Sequence, residues 1–427
     1  MIKIFNTKFS LIALILVLVL STQTLKPQEW GIKFSGFVKT DVMFDTRQTE
    51  NLREGHFLLI PLPQNLNSEG KDLNAKSSLN ILSIQTRIVG NITAPDVLGA
   101  KATGYIEAEF FGASESDGNG FRLRHAFTKL DWDYTTLLVG QTWHPMFVAE
   151  CFPGTVSFNT GVPFQPFSRN PQIRLTQKFG EFSISAAAIA QRDFTNSGPD
   201  ASGANSYSSS FLRNSVVPDL FFGLNFNTTN FMIGAGGEYK MITPRTVTTK
   251  KLQTDKTVNS FAGFGYIKTI LDPVTIKLQG TYGQNLSNMM MHGGYAIKSI
   301  DTLTGQEDYT NMNVMTLWTD ISAGKEVEFG VFAGFSKNMG FDDNILDGTK
   351  YYARYFYNIN NENITLDYLY RISPRIQWNI GKVRLASEFE WTSAKFGTID
   401  NNNKGKVKDG GKEANNLRVL LACYIFF

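Results

Sequence analysis

The sequence has few of the residue types that would indicate other classes of protein. Two cysteines, Cys151 and Cys423, in 427 residues exclude a disulfide framework. The four histidines are scattered without a paired spacing, so no metal site and no cofactor are predicted. Neither a glycine-rich phosphate loop nor a nucleophile elbow occurs. A formal net charge of +3 gives no reason to expect nucleic acid as a partner. The composition therefore predicts neither an enzyme nor a nucleic-acid-binding protein.

Long apolar runs are absent after the first segment of the chain. Lys3 and Lys8 precede an apolar run from Leu11 to Leu20, and small polar residues follow it. A spanning helix needs about 20 apolar residues, so this shorter run is typical of a secretory signal peptide. We predict a signal peptide over residues 1–24, cleaved between positions 22 and 28, and a single domain over residues 29–427. A protein that is exported without a helical anchor resides in the periplasm, on the cell surface or, as a β-barrel, in the outer membrane.

The remaining chain consists of short segments in which apolar and polar residues alternate. About sixteen such segments run from Trp30 to Phe427, and the last of them, Leu417 to Phe427, ends on an aromatic residue. The gaps between them alternate between long and short, and the short ones include Phe179-Gly180 and the single Gly381. This pattern predicts an all-β fold: an up-and-down antiparallel transmembrane β-barrel with short periplasmic turns and long extracellular loops.

The third long gap, from His144 to Asn170, is unusually rich in phenylalanine and proline for a solvent-exposed loop. We predict that this loop folds into the lumen and packs on the barrel wall, where it forms the constriction. The alternative is a surface loop that binds a neighbouring subunit. A barrel of about 16 strands is wide enough to leave an aqueous channel, so the constriction would decide which solutes pass.

Charged residues fall on one face of the predicted strands, while His125 falls on the opposite, nominally outward face. An arginine on the lipid face near the bilayer midplane costs about 2–4 kcal/mol, so the arginines are expected to face a wet lumen. The candidate pore-lining residues are Arg87, Glu107, Glu109, Arg122, Arg124, Arg174, Arg371, Arg375 and Arg384. Their excess of positive charge predicts a preference for anions, because a confined potential concentrates them. Since the glutamates compensate part of that charge, a nonselective pore remains the alternative.

Several sequence pieces in consecutive order carry a family resemblance. They are Gly36-Phe37-Val38-Lys39 with Asp41, Ile106 to Gly112, Leu123 to Ala126, Val139 to Trp143, the loop around Pro163 and Phe164, and Pro171 to Thr176. With these pieces the chain resembles the DcaP-like outer-membrane porins. The resemblance implies a homotrimeric, sixteen-stranded porin in the lipid of the bacterial outer membrane. It also implies passive diffusion of small anionic solutes such as carboxylates, with Arg122, Arg124 and Arg174 at the constriction.

Two other functions are compatible with the same barrel. The Asn-rich outer loops would suit a surface-binding or adhesive barrel with a closed lumen. An outer-membrane enzyme would require a loop Ser or Asp to meet His144 or His292. A measurement of pore blockage distinguishes the adhesive barrel, whose lumen is closed, from a porin, whose pore conducts.

Overall fold

The computed structural model describes residues 30–408 and 410–427. The predicted signal peptide therefore lies outside the described residues. Sixteen strands, the second of them in two segments, form the barrel wall: β1 Gly31–Asp45, β2 Ser78–Leu82 and Arg87–Thr93, β3 Lys101–Glu109, β4 Arg122–Asp131, β5 Thr135–Trp143, β6 Arg169–Phe179, β7 Phe182–Ile189, β8 Asp219–Asn227, β9 Phe231–Ile242, β10 Val258–Leu271, β11 Val274–Gln284, β12 Glu307–Gly324, β13 Val327–Phe341, β14 Glu362–Ile380, β15 Val383–Asp400 and β16 Lys412–Phe426. Among the described residues, no helix has the length and apolarity needed to cross a membrane.

The wall is a closed antiparallel sheet. Each strand pairs with its neighbours in chain order, and β1 pairs with β16 from Phe37 opposite Phe426 to Asp45 opposite Arg418. Closure leaves no unpaired strand edge, as a structure surrounded by hydrocarbon requires. The predicted fold class is therefore confirmed, including the strand number of 16 and the inward course of the third loop.

The alternation of side chains explains why these segments form a barrel wall. In β6, Ile173 and Leu175 are 58% and 50% exposed on the outer face, whereas Arg174 points inward between them. The same order holds in β14, where Ile372 and Ile376 are exposed outside and Arg371 and Arg375 are buried inside. Apolar residues thus meet lipid and the arginines do not.

The predicted strand boundaries are close to those observed, except at the extracellular ends of the second half. There β12 begins at Glu307 and β14 at Glu362, whereas the alternation predicts starts at Met312 and Tyr368. The additional residues are mostly polar, with Ile364 and Leu366 as exceptions, but they continue the hydrogen-bonded ladder, as the pairing of Asn363 with Asn358 illustrates. Polar residues predominate in both additions, so the alternation of apolar residues is too short there to mark the strand.

A β-bulge in β4 corrects the predicted orientation of His125. Glu107 lies opposite His125 and Ala108 lies opposite Leu123, so Arg124 is the extra residue. The bulge turns both Arg124 and His125 toward the lumen, and both are buried there. Gln141 donates a hydrogen bond of 3.1 Å to the carbonyl of Arg124. The expectation that His125 faces outward is therefore wrong, because a bulge shifts the period-two pattern by one residue.

Several extracellular loops fill the upper part of the lumen. Loop 1 (residues 46–77) contains a hairpin of strands Thr49–Leu52 and Phe57–Pro61, which we call the loop 1 hairpin, and its second strand is wholly buried. Loop 3 (residues 144–168), loop 4 (residues 190–218) and loop 6 (residues 285–306) contribute Phe167, Phe194 and Met289 to the same apolar core. The loops thus pack on one another inside the barrel.

Candidate pore constriction

Loop 3 crosses the lumen from β5 and β6 to the opposite wall. At its far end, the Glu388 carboxylate of β15 accepts hydrogen bonds from the backbone N–H groups of Val156 and Ser157, the latter at 2.9 Å. Arg371 of β14 donates a bond of 2.8 Å to the Val162 carbonyl. Charged groups of the wall therefore satisfy the polar backbone of an otherwise apolar loop.

Apolar packing holds the rest of loop 3 in place. The Phe164 ring is fully buried and lies flat against Gly334 of β13. A Cβ atom at position 334 would approach this ring within 2.5 Å, so a larger residue there would displace it. Burial of this ring and of Phe167 explains why the phenylalanine-rich sequence turns inward rather than toward the solvent.

The first cavity beside loop 3 has a volume of about 360 Å³. Its wall side consists of β2 to β5, and its loop side carries Phe158 and Phe167. Of the predicted residues, Arg87, Glu107 and Arg124 line this cavity. Tyr105, His125 and Tyr424 line it as well, although they were not among the predicted residues.

The arginines beside the first cavity are bound to carboxylates. Glu109 is fully buried and lies 3.0 Å from Arg87, 2.8 Å from Arg122 and 2.7 Å from Arg124. Asp193 of loop 4 lies 3.2 Å from Arg122 and 2.7 Å from Arg169. The group comprises Arg87, Arg122, Arg124 and Arg169 with Glu107, Glu109 and Asp193. We call it the arginine cluster; its charges nearly cancel.

Asp193 shows how this cluster stays ionised while buried. Burial alone would raise the pKa of the Asp193 carboxyl, but the positive charges of Arg169 and Arg122 hold that pKa below its ordinary value. A charged network of this kind is stable only while every member keeps its partner. The cluster therefore braces the wall beside the cavity and links loop 4 to it.

Arg174 lies apart from the arginine cluster. It belongs to a second cavity of about 280 Å³, between β5 to β10 and the first part of loop 3. Its guanidinium donates a bond of 2.7 Å to the carbonyl of Trp143. The two cavities share Trp143 and Phe147, which separate Arg174 from Arg124.

The remaining predicted arginines have structural partners. The guanidinium of Arg375 forms a bidentate interaction with the carboxylate of Asp320, at nitrogen–oxygen distances of 2.6 and 3.1 Å. Arg371 lies 3.3 Å from Glu390 in addition to its contact with loop 3. Arg384 donates a bond of 2.7 Å to Asn379, near the short turn at Gly381. These three do not converge on one point of the lumen.

Two lysines that sequence reasoning missed lie directly beneath loop 3. Lys268 of β10 and Lys277 of β11 donate hydrogen bonds of 2.9 Å to the carbonyls of Glu150 and Phe152. In the part of the chain that the structure describes, no carboxylate oxygen lies within 4.0 Å of the charged nitrogens of Lys268, Lys277 or Arg174. The period-two pattern that identified the arginines also places both lysines on the inner face.

His56, in the turn of the loop 1 hairpin, predicts a dependence of stability on pH. Burial, together with the charge of Lys39, lowers the pKa of the imidazole to about 3, although Asp41 lies 3.4 Å away. In the unfolded chain the pKa is about 6.5, so at lower pH the unfolded chain binds a proton that the folded chain excludes. Stability is therefore complete above about pH 6.5 and declines as the pH falls toward about 3.

The expected result is a lower thermal unfolding midpoint of the detergent-folded barrel at pH 4 than at pH 7. His56→Asn removes the titrating group and is expected to make the decline shallower. Equal declines in both proteins would contradict the assignment.

The closed barrel, the inward third loop and the apolar outer face define a porin-like outer-membrane β-barrel. Comparison with known proteins narrows this class. Residues 20–200 match the family model described as DcaP outer membrane protein, and the resemblance to this family is thereby confirmed. The protein is located in the bacterial outer membrane. No curated protein matches the chain.

Solved structures share the fold. The outer membrane channel DcaP of Acinetobacter baumannii has a TM-score of 0.66 at 15% identity, over 94% of this chain and 99% of that chain. OmpT of Vibrio cholerae in its trimer form has a TM-score of 0.54 at 9% identity, over 94% and 100% of the two chains. The anion-selective porin from Comamonas acidovorans has a TM-score of 0.53 at 11% identity, over 93% and 100%. At these identities the likeness concerns the fold alone.

Proposed function

We propose that the protein is a general-diffusion porin that admits small hydrophilic anions, including carboxylates, through the space beside loop 3. The observation that carries the proposal is the uncompensated positive charge of Arg174, Lys268 and Lys277 beneath this loop. Arg174 and the carboxylate of Glu150 both line the second cavity, whereas Lys268 and Lys277 lie outside its lining, under loop 3. Three cations that have no carboxylate within 4.0 Å in the described part of the chain leave an excess of positive charge beneath loop 3, and a positive potential in a confined space concentrates anions.

The proposal differs from the sequence expectation in the residues that produce the selectivity. Arg122 and Arg124 were expected to line the constriction with an excess of positive charge that the glutamates compensate only in part, but both are bound to Glu109. A compensated pair exerts little field at a distance, whereas the guanidinium of Arg174, which donates only to the neutral side chain of Gln172 and the carbonyl of Trp143, keeps its full positive charge. We therefore assign the anion preference to the β6, β10 and β11 side of the lumen.

Two of the structurally similar proteins agree with the proposal: the Comamonas acidovorans porin is described as anion-selective, and OmpT of Vibrio cholerae is described in a trimer form. We accordingly propose a homotrimer for this protein as well. We further propose that residues 1–24 direct export and are removed, and that residues 29–427 form the single barrel domain.

The test is the reversal potential in a planar bilayer under a potassium chloride gradient. The variant Arg174→Gln/Lys268→Gln/Lys277→Gln keeps hydrogen-bond donors at all three positions but removes three charges. Because one unit charge at about 4 Å contributes roughly 1 kcal/mol even in bulk water, the chloride-to-potassium permeability ratio should fall at least about fivefold.

The matched control is Lys71→Gln/Lys250→Gln/Lys251→Gln, which removes the same charge from exposed positions in the extracellular loops. It should leave the permeability ratio unchanged. A wild-type pore that prefers cations would overturn the proposed selectivity, and folded protein without any conductance would overturn the proposed function.

A further inference from the structure

The loop 1 hairpin places an apolar strand where a water-filled entrance would be expected. Phe57, Leu58 and Ile60 are 0% exposed and Leu59 is 1% exposed. These side chains belong to an extracellular loop, yet they lie inside the barrel and not toward the solvent. The barrel wall does not require this hairpin, because its two strands pair only with each other.

The hairpin lies against the aromatic residues that line the first cavity. The ring centroid of Phe57 is 5.2 Å from that of Phe158 and 5.2 Å from that of Phe167. Phe194 of loop 4 lies 6.3 Å from Phe57, and Phe111 at the end of β3 lies 4.2 Å from Phe158. Rings from four different parts of the extracellular side therefore meet above the arginine cluster.

A small number of hydrogen bonds from the wall hold the hairpin. Arg418 of β16 donates a bond of 2.7 Å to the Gly55 carbonyl, and Arg371 of β14 donates one of 2.9 Å to the Leu59 carbonyl. At the base of the hairpin, the Leu62 N–H donates to the Gln48 carbonyl at 3.0 Å. The hairpin is thus attached at a narrow base and held inside by these two arginines, by the binding of Arg53 and Glu54 to the Glu115 carboxylate, and by the hydroxyl of Tyr357, which donates to Glu50.

We propose that the loop 1 hairpin is the gate of the pore: its inserted state closes the extracellular entrance to the first cavity, and its withdrawal opens it. An apolar constriction excludes water and so blocks ions without filling every space. The gate rests on the proposed function, since it regulates the same pore. Arg418 and Arg371 contact backbone carbonyls of the hairpin, which a change of hairpin position releases without breaking a strand of the wall.

The test is single-channel conductance of the full barrel in planar bilayers. In the first variant, residues 49–61 are replaced by two glycines, which the short distance between Gln48 and Leu62 allows. Its conductance should rise at least threefold, and long closed periods should disappear. The matched control replaces residues 247–253, in the loop between β9 and β10, by two glycines, because Thr254 N–H donates to the Thr246 carbonyl at 3.0 Å and this segment is exposed except at Thr248. The control should conduct like the wild type.

A second variant keeps the length of the chain, so its folding does not depend on the closure of a shortened loop. Phe57→Ser/Leu59→Ser makes the buried second strand of the loop 1 hairpin polar. Water then enters the space around this strand, and the single-channel conductance should at least double. Wild-type conductance in both folded hairpin variants would overturn the gate while leaving the pore intact. If neither the wild type nor the hairpin variants conduct although all are folded, the proposed porin function fails and the gate with it.

Discussion

Replacing Glu109 by glutamine is expected to lower the free energy of unfolding of the barrel by about 3–5 kcal/mol, the range measured when one partner of a buried ion pair is removed. Glu109 is 0% exposed, and it is bound at 3.0 Å or less to Arg87, Arg122 and Arg124. Glutamine has nearly the same shape, so the variant leaves packing intact. It leaves the buried arginines with two carboxylates, those of Glu107 and Asp193, in place of three.

The measurement is the temperature at which the folded band of the detergent-solubilised barrel disappears in gel electrophoresis without prior boiling. Glu413→Gln serves as the control. Its carboxylate is also hydrogen-bonded, by the hydroxyl of Tyr368 at 2.6 Å, but at an exposed position. The control is expected to unfold near the wild-type temperature. A Glu109→Gln barrel as stable as the control would show that the arginine cluster does not brace the wall.

Replacing Glu388 by alanine is expected to release the far end of loop 3 and to make the current through an open pore noisy. Glu388 is the acceptor for the N–H groups of Val156 and Ser157. Leaving a buried donor without an acceptor costs about 1–3 kcal/mol, so the loss of the acceptor for two such bonds weakens the attachment of this end of loop 3 to the wall.

The readout is the variance of the open-state current and the mean conductance of single channels. We expect the conductance to rise and the variance to increase several-fold in Glu388→Ala. Glu388→Gln keeps an oxygen that accepts both bonds and is expected to remain close to wild type. Wild-type current in Glu388→Ala would mean that the other contacts of loop 3, such as those of Lys39 with Val156 and of Arg371 with Val162, are sufficient to hold it.

The strands and loop 3 were predictable because both produce a pattern in the sequence. In β5 the predicted and observed boundaries, Thr135 and Trp143, coincide, since apolar residues on the membrane face alternate with small or polar ones. Loop 3 was predictable from its phenylalanines, which have no place in an exposed loop. In each case, contact with either lipid or a buried core determines the residue type.

The bulge at Arg124 and the inward course of loop 1 left no comparable signal. A bulge inserts one residue without changing composition, so His125 keeps its apparent place in the alternation while its side chain reverses direction. Phe57 to Pro61 forms an apolar run of a kind that also occurs in buried strands of the wall. The pairing of each arginine with a carboxylate depends on contacts between segments far apart in sequence, as between Arg122 and Asp193, and periodicity carries no information about those.

The pairing of β1 with β16 constrains the order in which the protein can assemble. Gly36 near the start of the described chain and Phe427 exchange backbone hydrogen bonds of 3.3 and 3.1 Å. The first strand therefore lacks one of its two partners until the last residues of the chain have been synthesised and exported. Any shorter nascent segment exposes two open edges and an apolar face, which favours aggregation in water. Crossing the periplasm thus demands that the whole chain be kept unfolded, and insertion into the membrane is the step at which the ring closes.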